Sequence, residues 1–260
     1  MTLKSKLVQY IKDLVHKNDI LEKWYGITVE TKEFYGQFGE DASLQTYFTN
    51  RVWSAGGDSK VIPKGFYVDI GGYNPVEISN THWFHKRGWN GINVDLSSES
   101  IEAFKDARPN DVNLVAAISN IKALAEVEYY QFGLSSVYNT LNKESALEIE
   151  KTHSIKPLTK KIQAMSLEHL FETYLPEKQE ISLLSIDTEG HDLEVLKSNN
   201  WDKYRPTAIV IELEETNFRE LISNEIVLFL EDRGYKMYSW MNPSIVFIAA
   251  PPDIPKGKEQ

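Results

Sequence analysis

From residue 66 onward the chain alternates short apolar runs, rich in β-branched and aromatic residues, with amphipathic segments, and no other feature limits its possible folds as tightly. Five runs have the near-continuous apolar character of strands buried on both faces: FYVDI at 66–70, GINVD at 91–95, NLVAAI at 113–118, ISLLSID at 181–187 and TAIVIE at 207–212. The spacers are long enough for crossover connections, so the runs predict a mostly parallel α/β sheet with helices on both faces. Two further runs, 235–240 and 244–249, are separated only by Met241, Asn242 and Pro243. Three residues cannot make a crossover, so this pair predicts a C-terminal antiparallel hairpin that completes a seven-stranded sheet.

The intervening segments read as helices. Asn74, Pro75 and Glu77 have the order of an N-cap, a first helical residue and a capping-box partner, so a helix carrying Ile78, Trp83 and Phe84 is expected directly after the first strand's turn. Residues 98–107 predict a helix with Ile101 and Phe104 inward. Residues 217–233 predict a longer one with Leu221, Ile222, Ile226, Phe229 and Leu230 inward and Gly234 as its stop. Residues 121–165 interrupt the rhythm with Tyr129, Tyr130, Phe132, Tyr138 and a charged stretch, an insertion expected to cap the site. Near the start, Leu3, Leu7, Ile11, Leu14 and Val15 share a helical face without a continuous apolar core or a small-residue cleavage site, so the segment does not read as a secretory signal. The expected division is a helical segment at 1–62 packing on the core, a main domain at 63–252 with the insertion inside it, and a frayed polar tail at 253–260.

Charge and composition narrow the partners. With 28 basic and 38 acidic residues the chain carries a net charge of −10, which argues against nucleic acid or an anionic membrane as a partner. No apolar run approaches the ~20 residues of a membrane-spanning helix. The absence of cysteine excludes disulfides, thiolate metal sites and cysteine nucleophiles. A cytoplasmic protein acting on a small or neutral partner is expected.

In open parallel sheets ligands bind beyond the carboxyl ends of the strands, and there this sequence is acidic: Asp69 before Gly71 and Gly72, Asp95, Asp187 with Glu189, and Glu212 with Glu214. Such a rim repels anions and suits a cationic or polyhydroxylated ligand. The DIGGYNP turn lacks the third glycine of the dinucleotide pattern, and Pro75 removes an N–H where a pyrophosphate would seek donors, so the turn suits a ligand without phosphates better than NAD. Asp95 is placed to accept hydrogen bonds from a ribose diol. In LLSIDTEGHDLEVLK, His191 begins a helix just past the acidic turn and is the candidate base for a hydroxyl proton, since histidine titrates at about 6.5. Asp187 and Glu189 would orient it, bind hydroxyls or, with Glu212 or Glu214, supply the oxygen ligands that Mg or Mn prefers. Plainer roles stay open: the glycines making a tight turn, Asp95 capping the next helix, and Asp187 and Glu189 serving a helix dipole.

Together, GQFGEDASLQTYF at 36–48, FYVDIGGYNPVEISNTHWFHKRGWNGINVDLS at 66–97, NLVAAISN at 113–120 and LLSIDTEGHDLEVLK at 183–197, followed by the IVIE strand, resemble the FkbM family of S-adenosylmethionine-dependent methyltransferases. The resemblance implies a Rossmann-like class I methyltransferase sheet. It also implies a cofactor site in which Asp69, Gly71 and Gly72 hold the methionine part with Asn80 and Thr81 nearby, Asp95 and Leu96 meet the ribose, and Ala117 and Ser119 lie against adenine. Asp187, Glu189 and His191 correspond to the family's acidic turn facing the acceptor, and Gln37, Glu40 and Asp41 to its QFGED element. Pro75 stands where many members carry glycine. Family members methylate hydroxyls of polyketides, glycolipids and surface sugars, so the implied acceptor is a saccharide hydroxyl, on a surface polysaccharide or a sugar nucleotide, with Tyr129, Tyr130, Tyr138, Trp83 and Trp89 as candidates to stack on a pyranose. Two other functions share parts of the pattern: an NAD-dependent nucleotide-sugar or alcohol oxidoreductase, and a non-catalytic relative that retains the crevice.

Overall fold

The computed structural model describes residues 33–54, 62–213, 215 and 217–250. The expected N-terminal helix around Leu3 to Val15, the tail at 253–260 and Glu214 lie outside these residues. The described chain opens with α1 (Glu40–Ser54) and β1 (Phe66–Ile70), then runs through α2 (His82–His85), β2 (Asn90–Asp95), α3 (Ser98–Ala107) and β3 (Val112–Val115). The middle holds β4 (Ala117–Ile118), β5 (Ala125–Gln131), α4 (Lys143–His153), β6 (Leu158–Met165) and α5 (Leu167–Tyr174). The last third holds β7 (Leu183–Ile186), α6 (Asp192–Lys197), β8 (Ala208–Glu212), α7 (Phe218–Leu221), α8 (Glu225–Asp232), β9 (Tyr235–Met241) and β10 (Ser244–Ala249).

The seven-stranded sheet has the order β3-β2-β1-β7-β8-β10-β9. Pairings from β3 through β8 are parallel, while β10 runs antiparallel to both β8 and β9. The pleat sorts the strand residues onto two covered faces, because successive side chains point to opposite sides. Val68, Ile70, Ile92, Val94, Leu184, Ile186, Ile209 and Ile211 share one buried cluster with Phe171, Leu196 and Leu230. Tyr67, Leu183, Val210 and Val246 share the other with Leu44, Phe48, Trp83, Phe84 and Trp89. Trp83 and Trp89 are therefore core, as is Tyr129 in a third cluster, and none of the three is available to a sugar.

Three elements differ from expectation for identifiable reasons. The run at 113–118 is two strands: β3 stays in the main sheet, Ala116 N–H donates to the Asp95 carbonyl, and Ala117 and Ile118 turn to pair with Ala164 and Met165. β4, β6 and β5 thus form a separate three-stranded sheet, and the insertion folds around it. No helix starts at Pro75. The Asn74 side chain does accept from the Val76 and Glu77 amides, at 2.8 and 2.9 Å, but the Pro75 carbonyl that would accept the next helical bond is taken by Arg108. Its natural partner, the Ser79 amide, goes to the Tyr35 carbonyl instead. The helical segment at 217–233 is broken between α7 and α8, where the Ser223 hydroxyl bonds back to the Glu220 carbonyl and Asn224 caps α8 through the Ile226 amide. The break leaves Ile222 exposed while Leu221, Ile226 and Leu230 stay buried.

Arg108, immediately after α3, is fully buried. Its guanidinium donates to the hydroxyls of Thr81 (2.8 Å), Ser79 (3.1 Å) and Tyr67 (3.3 Å), to the Asn93 side-chain oxygen (3.3 Å) and to the Pro75 carbonyl. It ties the loop after β1 to the underside of the sheet. Replacing it by leucine would take a donor from five buried acceptors and leave the Pro75 carbonyl and the Asn93 side-chain oxygen without it, so Arg108→Leu is expected to lower unfolding free energy by about 3–5 kcal/mol. A urea titration of the two proteins checks this.

Candidate active site

β1 adjoins β2 on one side and β7 on the other, so the strand order reverses direction there, and the crevice expected at such a switch point is present. A cavity of about 280 Å³ opens at the carboxyl ends of β1, β2, β7 and β8. The sheet register determines which side chains face it. Asp69 pairs with Ser185, Ser185 pairs with Val210, and the last pair between β7 and β8 is Ile186 with Ile211. The next residues along, Asp187 and Glu212, are therefore neighbours on the pleat face that also carries Asp69 and Asp95.

The turn after β1 approaches the opposite strand end so closely that only glycine fits. Gly71 has φ +83°, and a Cβ there would fall 1.7 Å from the Asp187 carbonyl oxygen. The Gly71 and Gly72 amides both donate to the Val94 carbonyl, which fixes the turn against β2. Asp69 is buried and accepts from the Thr81 hydroxyl at 2.7 Å. Burial raises its carboxyl pKa, and the Thr81 bond and the Arg108 charge pull it back. Asp95 is pushed up to about 7, chiefly by burial, with the Ser97 amide opposing and the Asp69 charge adding to it.

At the end of β7 the acidic turn is organised by a residue that the sequence reading passed over. Asp192, buried at the start of α6, accepts from the Thr188 amide (2.9 Å), the Thr188 hydroxyl (3.0 Å) and the Gly190 amide (3.2 Å). Glu189 and Gly190 both take left-handed backbone conformations, with φ of 53° and 87°. One carboxylate oxygen from each of Asp187, Glu189 and Glu212 lies within 4.8 Å of the others, an all-oxygen set of the kind that Mg or Mn accepts. The Asp187 pKa is raised well above the ordinary carboxyl range, first by burial and then by the charges of Glu212, Glu189 and Asp192.

Of the residues singled out from the sequence, Asp69, Gly71, Gly72, Asn80, Asp95, Leu96, Asp187 and Glu189 line the cavity, together with Gln37 and Glu212. Thr81 stands behind Asp69 as its hydrogen-bond donor. Ala117 faces the insertion's own core, and its neighbours Ala116 and Ile118 are the ones that reach the cavity, as alternation along a strand requires. Ser119 and His191 are not on the cavity wall: the His191 Nε2 atom lies 2.9 Å from the Ser119 hydroxyl, and burial lowers the histidine's pKa. Glu40 and Asp41 hold the chain before α1, Asp41 through the Tyr35 and Gly36 amides and Glu40 through the Phe38 amide and the Ser244 hydroxyl. The insertion supplies a wall of Ser136, Val137, Tyr138, Asn139 and Leu141. Among the described residues lining the cavity there is no lysine, arginine or histidine.

The crowding of Asp187 has a measurable sign. Its folded-state pKa is raised, so between the ordinary carboxyl value and that raised one the folded chain binds more protons than the unfolded chain. Stability is therefore lost as pH rises through that window and stays flat above it. Asp187→Asn keeps a donor toward Glu212 without the charge. It is expected to raise the melting temperature by about 2–4 °C or more at pH 8 and to leave it unchanged near pH 4, read by calorimetry.

No curated protein matches the chain. The family model described as the methyltransferase FkbM domain matches residues 69–237, from the acid that ends β1's inward row to the first strand of the final hairpin. That span takes in the glycine turn, Asp95, the insertion, the acidic turn and Glu212, and with it the chain belongs to the FkbM methyltransferase family.

Proposed function

We propose that the protein is an S-adenosylmethionine-dependent O-methyltransferase acting on a saccharide hydroxyl in the cytoplasm, with its sheet in the class I methyltransferase arrangement. The observation that carries the reading is the cavity at the switch between β1 and β7, with a two-glycine turn at its floor, Asp95 at the adjacent strand end and, among the described residues, only acidic or neutral side chains around it. The residues suit the cofactor piece by piece. Asp95 would accept from the ribose hydroxyls, and Leu96, Ala116 and Ile118 offer an apolar slot for adenine. Gly71 leaves backbone space for the amino-acid end, and the Asp187, Glu189 and Glu212 carboxylates would face the positive sulfur.

When bound, the cofactor supplies a methyl group made electrophilic by its sulfonium. The protein's part is to align the acceptor oxygen with that methyl and to remove the hydroxyl proton. The geometry favours a carboxylate of the Asp187, Glu189 and Glu212 group over His191 for the proton, because these line the cavity and His191 is engaged with Ser119 outside it. The wall of Tyr138, Asn139, Asn80 and Gln37 suits a neutral polyol, with an aromatic face and amides for hydroxyls. A lining that is acidic or neutral among the described residues favours a polysaccharide or glycolipid sugar over a nucleotide-linked one. Among the described residues no helix is long and apolar enough to cross a membrane.

Titration calorimetry tests the cofactor assignment. S-adenosylhomocysteine is expected to bind and NAD to give no heat, and the reverse would establish the oxidoreductase reading instead. Because Asp95 must be ionised to serve the ribose, affinity is expected to fall by about tenfold per pH unit below 7 and to be flat in Asp95→Asn. With a saccharide acceptor in hand, Glu212→Gln is expected to lose on the order of 10² in turnover and His191→Ala only a few-fold.

A further inference from the structure

The acidic turn is held from two sides, and the second side is the insertion. The Asp192 carboxylate closes the turn from within by accepting from the Thr188 and Gly190 amides. The two carbonyls that face outward, those of Glu189 and Gly190, accept hydrogen bonds from the Thr140 hydroxyl at 2.9 Å and the Asn142 side-chain amide at 2.7 Å. These belong to the two consecutive residues with positive φ: the Thr140 bond falls on the peptide plane that follows the Glu189 Cα and helps aim its side chain, and the Asn142 bond fixes the next plane of the same turn. Thr140 is fully buried and fixed by reciprocal backbone bonds with Tyr130, and its hydroxyl also accepts from the Asn142 amide. Asn142 uses its other side-chain atom, Oδ1, to cap α4 through the Glu144 and Ser145 amides. The contact is close, since a Cβ on Gly190 would fall 2.4 Å from the Ser145 hydroxyl oxygen. The same stretch of insertion carries Ser136, Tyr138 and Leu141 to the cavity wall.

We infer that Thr140 and Asn142 are positioning residues of this site: their hydrogen bonds hold the left-handed Glu189–Gly190 turn so that the Glu189 carboxylate stays grouped with those of Asp187 and Glu212. The insertion therefore does more than cover the cavity. It sets the charge that faces the transferable methyl, and acceptor wall and acidic turn move as one unit. This inference rests on the reading of the cavity as the cofactor site.

Two cofactor analogues separate charge recognition from the rest of the site. S-adenosylhomocysteine carries a neutral sulfur, and sinefungin carries a protonated amine where the methyl sulfonium would stand. Measured by calorimetry at pH 8, the wild-type protein is expected to bind sinefungin roughly tenfold or more the tighter of the two, and Glu189→Gln to lose most of that preference. Asn142→Asp keeps the oxygen that caps α4 but replaces the donor to Gly190 by a repelling oxygen. Thr140→Val removes the hydroxyl, and Thr140→Ser restores it. Asn142→Asp and Thr140→Val are expected to reduce the preference to about threefold or less while their affinity for S-adenosylhomocysteine stays within about threefold of wild type, and Thr140→Ser to behave as wild type. A purely structural role for Asn142 would be met by its cap alone, so an unchanged preference in Asn142→Asp and Thr140→Val would overturn the inference. A wild-type protein that binds both analogues equally would also overturn it. A wild-type protein that binds neither would overturn the cofactor reading beneath it.

Discussion

A buried guanidinium underlies the architecture of the site. Arg108 is the buried cation among the described residues, and it lies under the face of the sheet on which Asp69, Asp95, Asp187 and Glu212 are collected. Its five hydrogen bonds hold the segment between Pro75 and Thr81 out of helical conformation, and Thr81 in turn holds Asp69. A buried charge of this kind is justified only when its donors are satisfied and opposite charge is near. Here the two terminal nitrogens are satisfied by groups whose positions the site needs, Asp69 lies within reach of the charge, and Nε alone has no partner. The loop, the strand-end acid and the cavity floor are consequently one mechanical unit.

On the other side of the cavity the charges are not balanced. Asp187, Glu189 and Glu212 crowd together at adjacent strand ends, and burial together with its neighbours' charges raises the Asp187 pKa by disfavouring a further negative charge. Glu189 accepts an unfavourable backbone conformation in the same turn. Concentrated repulsion and strain cost stability and persist where the surroundings over-determine them. Asp192 from within, and Thr140 and Asn142 from the insertion, are those surroundings. A positively charged ligand would relieve the repulsion, which gives a methyltransferase of this family a physical reason to tolerate it in the free state.

The plan of the sheet was legible because apolar runs of strand length and the three-residue hairpin linker leave few alternatives. The acids at the strand ends could be read directly, since a carboxylate that closes an apolar run must lie at its rim. Less visible were features that depend on partners far away in the chain. The Asn74 cap is present as its residues suggest, yet the helix fails because Arg108 and Tyr35 take the backbone groups that helix would use. Arg108 itself follows an ordinary amphipathic helix and carries no local mark of burial. Ala117 faces the insertion's core while Ala116 and Ile118 line the cavity, since the switch of this strand from one sheet to another shifts which alternate residues face it.

The amino-acid order by itself determined the α/β class, the antiparallel finish and the acidic character of one end of the sheet, because each follows from local period, spacing or residue type, while the family was legible only through the resemblance of its motifs. Tertiary structure alone decided which acids act together. Placing β1 between β2 and β7, in a register that sets Asp187 beside Glu212, brings together side chains from four separate strand ends, whereas His191, near them in sequence, is carried by the start of α6 to Ser119 and away from the cavity. The reason is that neighbourhood at a sheet's rim is set by strand order and register, which arise from packing the whole core and have no counterpart in any short stretch of chain.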